Sequence, residues 1–326
     1  MKEEGNKTYT IRSICSLDNS DKFFLFSNCP KTYYKRIKKA LEEIRGIKDE
    51  NEAEDRFFSH LIENDNKNSQ ELQLWRYMPI SSFEKLREKG TITMSSIISM
   101  NDKSETCYAN SYISSKIGDK FHGELEDPTN VFINSFSTKK DNLLMWYMYA
   151  GMAKGVALSF GSRISGNGFT LNTVDYSKVK TKDNTKQMHM SLNYLKNMLN
   201  QKAYSVRLKR WNIWQHFFKP SYYRDEAEIR LLLLGKGDED KKKEWVTSSN
   251  NIHFPILKYQ LFDYWDNNNS EYSKLDKYPL ELKEIMLGPL YDESEANQLT
   301  LRNYFHEMTK GKFSNITVSS IDNYRG

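Results

Sequence analysis

The stretch Glu226-Ala227-Glu228-Ile229-Arg230 runs into four leucines at 231–234 and is stopped by Gly235. A short apolar run ended by glycine reads as a buried strand, and a chain with such a strand must build a core around it. Strand side chains alternate between faces. That alternation is expected to set Glu226, Glu228 and Arg230 on one face and Ala227, Ile229, Leu231 and Leu233 on the other, toward a core. Two carboxylates side by side repel, so one is expected to hold its proton more tightly unless a cation compensates. Pairs of this kind suit proton transfer or the stabilisation of a cationic transition state. The plain alternative is a solvated strand start in which Arg230 simply pairs with Glu228.

The rest of the chain reads as a mixture of strands and helices. Residues 1–70 form a helical N-terminal extension in this reading. Pro30 can open a helix carrying Ile37, Leu41 and Ile44 before Gly46, and a second helical stretch holds Phe57, Phe58, Leu61 and Ile62. The polar segment 64–69 reads as a linker. Residues 71–326 then form one larger domain. Strands are expected at 72–77, 91–94, 131–137, 155–160 and 171–176, with a helix from Ser81 or Ser82 to Gly90 and a short one over 143–150. A long helical region is expected over 184–218. Further strands are expected at 252–256, 284–288 and 316–321, with a helix over 294–308. Strands and helices do not alternate strictly, so the class is α+β: a mixed, largely antiparallel sheet core flanked by helices.

Composition narrows the function. Hydrophobic residues are 38% of 326 and aromatics 13%, enough for an aromatic-rich core in a polar chain. No apolar run approaches the ~20 residues that cross a bilayer, so no membrane partner is expected. Cys15, Cys29 and Cys107 are odd in number and far apart, against a disulfide framework and for the cytoplasm. The net charge of +5 permits contact with nucleic acid without demanding it. The six histidines are dispersed, and no Gly-x-Ser-x-Gly or P-loop occurs, which weakens serine hydrolase and NTPase readings.

Several short signatures line up in order: Leu74-Trp-Arg-Tyr77, Met100-Asn-Asp-Lys-Ser-Glu105, Ser135-Phe-Ser137, Met145-Trp146-x-x-Tyr149-Ala150, Gly155-Val-Ala-Leu-Ser-Phe160, Glu226-x-Glu228-x-Arg230, Leu287-Gly288-Pro289 and the segment from Ser319 to Arg325. As a set they resemble the bacterial family called domain of unknown function 2971, over about residues 72–326. Lys103 departs from that pattern, which usually has proline after Asn-Asp. A looser resemblance is to ADP-ribosyltransferases of the arginine–serine–glutamate type. These place an arginine on an early strand, a Ser-x-Ser on a later one and a Glu-x-Glu at a strand start. Here the matching residues are Arg76, Ser135-Phe136-Ser137 and Glu226-Ala227-Glu228.

That second resemblance implies an NAD-consuming effector, an ADP-ribosyltransferase or an NAD glycohydrolase, with NAD as substrate and no tightly bound cofactor. Loss of nicotinamide leaves positive charge on the ribose, much as in glycoside hydrolysis. Glu228 is the expected carboxylate at that carbon, with Glu226 orienting or deprotonating the acceptor. Arg76 would hold the pyrophosphate through its fork of donors. Ser135 and Ser137 would hold the ribose and the strand register, and Tyr77, Trp146 or Tyr149 would stack on nicotinamide. The acceptor would be a protein, a nucleic acid or water, and bacterial anti-phage defence or toxin action is the setting such chemistry suits. Two alternatives stay open. Asn101, Asp102 and Glu105, with the glutamates, are hard oxygen ligands that could hold magnesium or manganese in a metal-dependent nuclease. A non-catalytic sensor would instead use residues 1–70 to dock a partner protein.

Overall fold

The computed structural model describes residues 7–17, 31–62, 72–100, 105, 107–117, 121–162, 164–165, 168–176, 178–180, 187–199, 204–248, 251–261, 275–291 and 295–321. The elements run β1 (Lys7–Thr10), α1 (Ile11–Cys15), α2 (Lys31–Glu43), α3 (Glu50–Ile62), β2 (Gln73–Met78), α4 (Ile80–Lys89), β3 (Thr91–Ser96), α5 (Tyr108–Ile117), β4 (Phe121–Gly123) and β5 (Val131–Ser137). Next come α6 (Leu143–Tyr149), β6 (Val156–Gly161), β7 (Phe169–Thr173), β8 (Lys178–Lys180), β9 (Gln187–His189), α7 (Met190–Leu199), β10 (Tyr204–Leu208) and α8 (Trp211–Trp214). The chain continues through β11 (Glu228–Leu234), β12 (Glu244–Thr247), β13 (His253–Gln260), β14 (Leu282–Leu287), α9 (Glu295–Met308) and β15 (Ile316–Val318). The fold is α+β, and the main sheet is mostly antiparallel. No helix among the described residues is long and apolar enough to cross a membrane.

The chain divides into two compact units, neither of them continuous in sequence. The first comprises residues 1–68, 100–131 and 172–225. Its three-stranded parallel sheet runs β1-β10-β4, with Lys7 opposite Tyr204. The segment read as a helical N-terminal extension packs within this unit. Phe58 of α3 stacks on Trp214 at 5.5 Å, and the Glu54 carboxylate accepts the backbone N–H groups of Lys209 and Arg210. The long helical region expected over 184–218 is also interrupted. Tyr-Ser-Val-Arg-Leu at 204–208 is a strand, and Val206 and Leu208 turn inward at the period of two that a strand requires.

The second unit comprises residues 69–99, 132–171 and 226–326 and carries most of the main sheet. That sheet has the order β12-β13-β3-β5-β2-β6-β14-β15, with β11 beside β5 and β7 beside β11. One face is apolar: Leu74, Met78, Phe132, Phe136, Leu158, Phe160, Ile229, Leu231 and Leu233 share a core with Phe83 and Leu86 of α4 and Leu301 and Phe305 of α9. Each such buried side chain contributes roughly 1.5–3 kcal/mol of hydrophobic stabilisation. The other face carries a smaller cluster, in which Trp75 and Tyr77 pack with Met145, Trp146, Ala157 and Met286. Strand alternation accounts for the division, since Leu74 and Met78 go one way and Trp75 and Tyr77 the other.

The ends of α4 and the entry to β6 are fixed locally. Pro79 caps α4 in an extended conformation, in place of the serines expected there, and Gly90 closes the helix in the left-handed conformation at φ 62°. Gly155 permits a close approach of chains: a Cβ there would stand 2.1 Å from the Met78 carbonyl oxygen.

Candidate functional site

The strands that carry the arginine, the Ser-x-Ser and the Glu-x-Glu are neighbours, in the order β2-β5-β11. The glutamate segment does not enter its strand as the alternation predicts. Ala227 adopts φ 45°, in the left-handed region that few non-glycine residues visit. Strand β11 therefore begins at Glu228, and Glu226 ends a 3-10 helix instead of sharing the strand face. The end of β5 fastens this turn. Ser137 Oγ donates to the Glu226 carbonyl at 2.7 Å, and the Thr138 N–H donates to the Ala227 carbonyl at 3.1 Å. Ser137 Oγ also accepts the Lys139 N–H at 3.1 Å. Its hydroxyl is occupied by backbone and fully buried, so it holds the register of the two strands. Ser135, two residues earlier, lies on the same strand face and is half-buried.

The two glutamates have different surroundings. Glu228 is 5% exposed, and its carboxylate takes two bonds from Arg230, Nε at 2.7 Å and a terminal nitrogen at 3.3 Å. Arg230 is 0% exposed, and it is the compensating cation that the paired carboxylates require. Glu226 is half-buried, and its Oε1 accepts the Tyr149 hydroxyl at 2.6 Å.

The three aromatic candidates also part company. Tyr77 donates its hydroxyl to the Lys139 carbonyl at 2.8 Å and accepts the Asn142 N–H at 3.1 Å. Burial pushes its pKa up to about 12, so the phenol stays neutral. Its ring meets Trp146 edge-on, 4.8 Å between centroids. Trp146 is fully buried, with Nε1 donating to Asp141 at 2.8 Å. Tyr77 and Trp146 are thus core aromatics, closed off from the nicotinamide-stacking role expected of them. Tyr149 is 36% exposed. The outer residues of the same helix, Leu143, Leu144, Tyr147 and Met148, are exposed too.

Arg76 does not join this group. The register Trp75↔Ser137 puts Ser137 on the Trp75 face of the sheet. Arg76 is on the other face with Leu74 and Met78, while Ile229 and Leu231 send Glu228 and Arg230 away from that apolar face. The guanidinium therefore lies across the sheet from Ser135, Ser137 and Glu228, and the pyrophosphate role expected of it has no geometric support. Its partner is Asn134, whose Oδ1 accepts at 2.5 Å. Sequence reasoning missed Asn134 and Tyr278. A lone amide between Phe132 and Phe136 on an apolar strand face is the signal that could have found the first; Tyr278 offers none.

For the metal-dependent alternative, Asn101 and Asp102 lie outside the described residues. Glu105 belongs to the first unit and pairs with Lys219 at 3.0 Å, both side chains buried. Among the described residues no group of three or more histidine, cysteine or acidic side chains could hold a metal ion. No family model matches the chain, and no curated protein or solved structure matches it either.

Proposed function

We propose that the protein consumes NAD, as an ADP-ribosyltransferase or NAD glycohydrolase of a bacterial defence or toxin system, with Glu226 as the carboxylate that meets the ribose. The observation that carries this reading is the Tyr149–Glu226 pair. A half-buried carboxylate and a partly exposed aromatic side chain are joined by a 2.6 Å hydrogen bond, at the point where the Ser-x-Ser strand clamps the Glu-x-Glu turn. A planar nicotinamide needs a ring face, and the sugar cation left behind needs a nearby negative charge.

Glu228 is the first candidate on sequence grounds. Its charge is already balanced by Arg230 and its carboxyl is out of solvent, so it supports the turn and does not touch substrate in this reading. In the reaction the C–N bond between ribose and nicotinamide breaks. Nicotinamide leaves neutral with the bonding electrons, and the ribose carbon carries the positive charge past the Glu226 carboxylate. An acceptor nucleophile or water then attacks that carbon and gives its proton to a carboxylate or to solvent. The apolar outer face of α6 continues from Tyr149, which favours a macromolecular acceptor over water.

The test is incubation of the purified chain with NAD while nicotinamide is measured by chromatography. Release by wild type, lost in Glu226→Gln in a variant that still folds, is the expected result. No release by wild type in the presence of cell lysate as acceptor source, or equal release from Glu226→Gln, would sink the reading.

A further inference from the structure

We propose that Arg76, Asn134 and Tyr278 form a binding site for a small oxoanion, a phosphate or carboxylate group, on the sheet face opposite Glu228. The sheet divides at this point. Strands β2 and β3 pair with different ends of β5, β2 at Ser137 and β3 at Ile133 and Phe132. Asn134 lies between the two pairings, and the Arg76 side chain reaches across to it.

The hydrogen-bond directions in this trio are forced. A guanidinium only donates, so the oxygen of Asn134 must face Arg76 and its NH2 must point away. That NH2 donates to the Tyr278 hydroxyl oxygen at 2.8 Å. Tyr278 is therefore an acceptor toward Asn134, and its own O–H is left to donate elsewhere. Burial pushes the Tyr278 phenol up to about 12, so it keeps that hydrogen. Arg76 presents five N–H donors, of which Asn134 takes one. Among the described residues no carboxylate lies within ion-pair distance of Arg76. Desolvation lowers its pKa, with only the neighbouring Tyr278 acting in the opposite sense. Even so, an arginine does not give up its proton in a protein. The side chain is half-buried, so it sits among protein atoms and still meets solvent.

A half-buried positive charge with spare N–H groups beside a spare O–H offers donors and has no anionic acceptor among the described residues. A partly desolvated guanidinium gains from an anionic partner, and an oxoanion supplies both the charge and the lone pairs. The flat fork of a guanidinium matches two oxygens of one phosphate or carboxylate. The flanking apolar side chains Leu74, Met78 and Leu158 keep the local dielectric low and strengthen the attraction. The site does not depend on the NAD reading, because it lies across the sheet from Glu228.

The experiment is footprinting of wild type with phenylglyoxal, an arginine-selective dicarbonyl, read by peptide mass spectrometry. Inorganic phosphate and acetate are tested separately against chloride at matched ionic strength. Arg76 is expected to react in chloride, and an anion at ten times its dissociation constant should slow that reaction about tenfold while exposed Arg56 is unaffected. Protection by phosphate alone, by acetate alone or by both supports the site and names the group it takes. Tyr278→Phe should weaken the protection about fivefold by removing one donor. Glu226→Gln should leave it intact, which separates this site from the NAD-consuming one. An Arg76 that never reacts in the folded protein, or one that reacts equally fast with and without both anions, overturns the proposal.

Discussion

Glu228 and Arg230 form a two-point ion pair within a single strand, 2.7 Å from Nε to Oε1, with both side chains withdrawn from solvent. Taking two charges out of water is costly, and their mutual attraction offsets that cost only while both are present. Glu228→Ala should therefore destabilise the protein by about 3–5 kcal/mol, whereas replacing both residues, Glu228→Leu with Arg230→Met, should cost far less than the sum of the single changes. Urea unfolding of the four proteins gives the cycle. Additive effects would mean that the pair is not a coupled unit.

Tyr149 offers two separable contributions, a ring face and a hydroxyl. Tyr149→Phe keeps the face and removes the 2.6 Å bond to Glu226. A hydrogen bond to a charged group is worth about 1.5–3 kcal/mol, so on the proposed NAD chemistry nicotinamide release should fall by about one to two orders of magnitude with KM nearly constant. Tyr149→Ala removes the ring as well and should raise KM in addition. If both variants behave like wild type in nicotinamide release, Tyr149 has no part in the site.

Gly155 tests a different kind of constraint. An added methyl would fall 2.1 Å from the Met78 carbonyl oxygen and 2.9 Å from that of Ala150, and both atoms are backbone. No side-chain rotation can relieve such contacts, so Gly155→Ala should exceed the ~1–3 kcal/mol of ordinary overpacking. The melting temperature checks this. Gly288 is similarly placed: a Cβ there would stand 2.6 Å from the Ala153 carbonyl oxygen, and its N–H donates to the Gly155 carbonyl at 2.9 Å. The two glycines belong to the signatures Gly155-Val-Ala and Leu287-Gly288-Pro289, whose shared reason is the close packing of these turns.

Elements with strong local signals were readable from the sequence. Helix α2 announces itself by Ile37, Leu41 and Ile44, all buried, with Gly46 at φ 93° beyond it. Strand β5 spans 131–137, the range expected for it. What failed was decided by contacts distant in sequence or by one backbone angle. Strand β10 has only five residues between leucines and tryptophans at helical spacing, and it exists because β1 and β4 flank it. Nothing in an alanine betrays φ 45°, yet that angle at Ala227 takes Glu226 off the strand. The face to which Arg76 points follows from the register Trp75↔Ser137, and a slip of one residue would have reversed it. Sequence order alone could suggest an arginine, serines and glutamates in one site; it could not fix the register that separates the arginine from the rest.

The first unit carries its own pH signal. Glu54 is buried in α3, and burial pushes its pKa up from 4.5 to about 7, although the backbone N–H groups of Arg210 and Lys209 pull it partly back. In the unfolded chain the same carboxyl titrates near its ordinary value. Between about 4.5 and about 7 the folded state thus holds a proton that the unfolded state has released. Stability from this group is fully present below the lower value, falls as pH rises through the higher one, and stays reduced above it. The loss is on the order of 3 kcal/mol. Glu54→Gln is neutral throughout and keeps an acceptor for one of the two N–H groups, so its stability should be flatter over the same window. Denaturant unfolding at about pH 5 and about pH 8, for wild type and variant, measures the difference. Wild-type stability that rises through this window relative to the variant would show that Glu54 is charged in the folded state well below pH 7, held by its backbone donors more strongly than burial opposes.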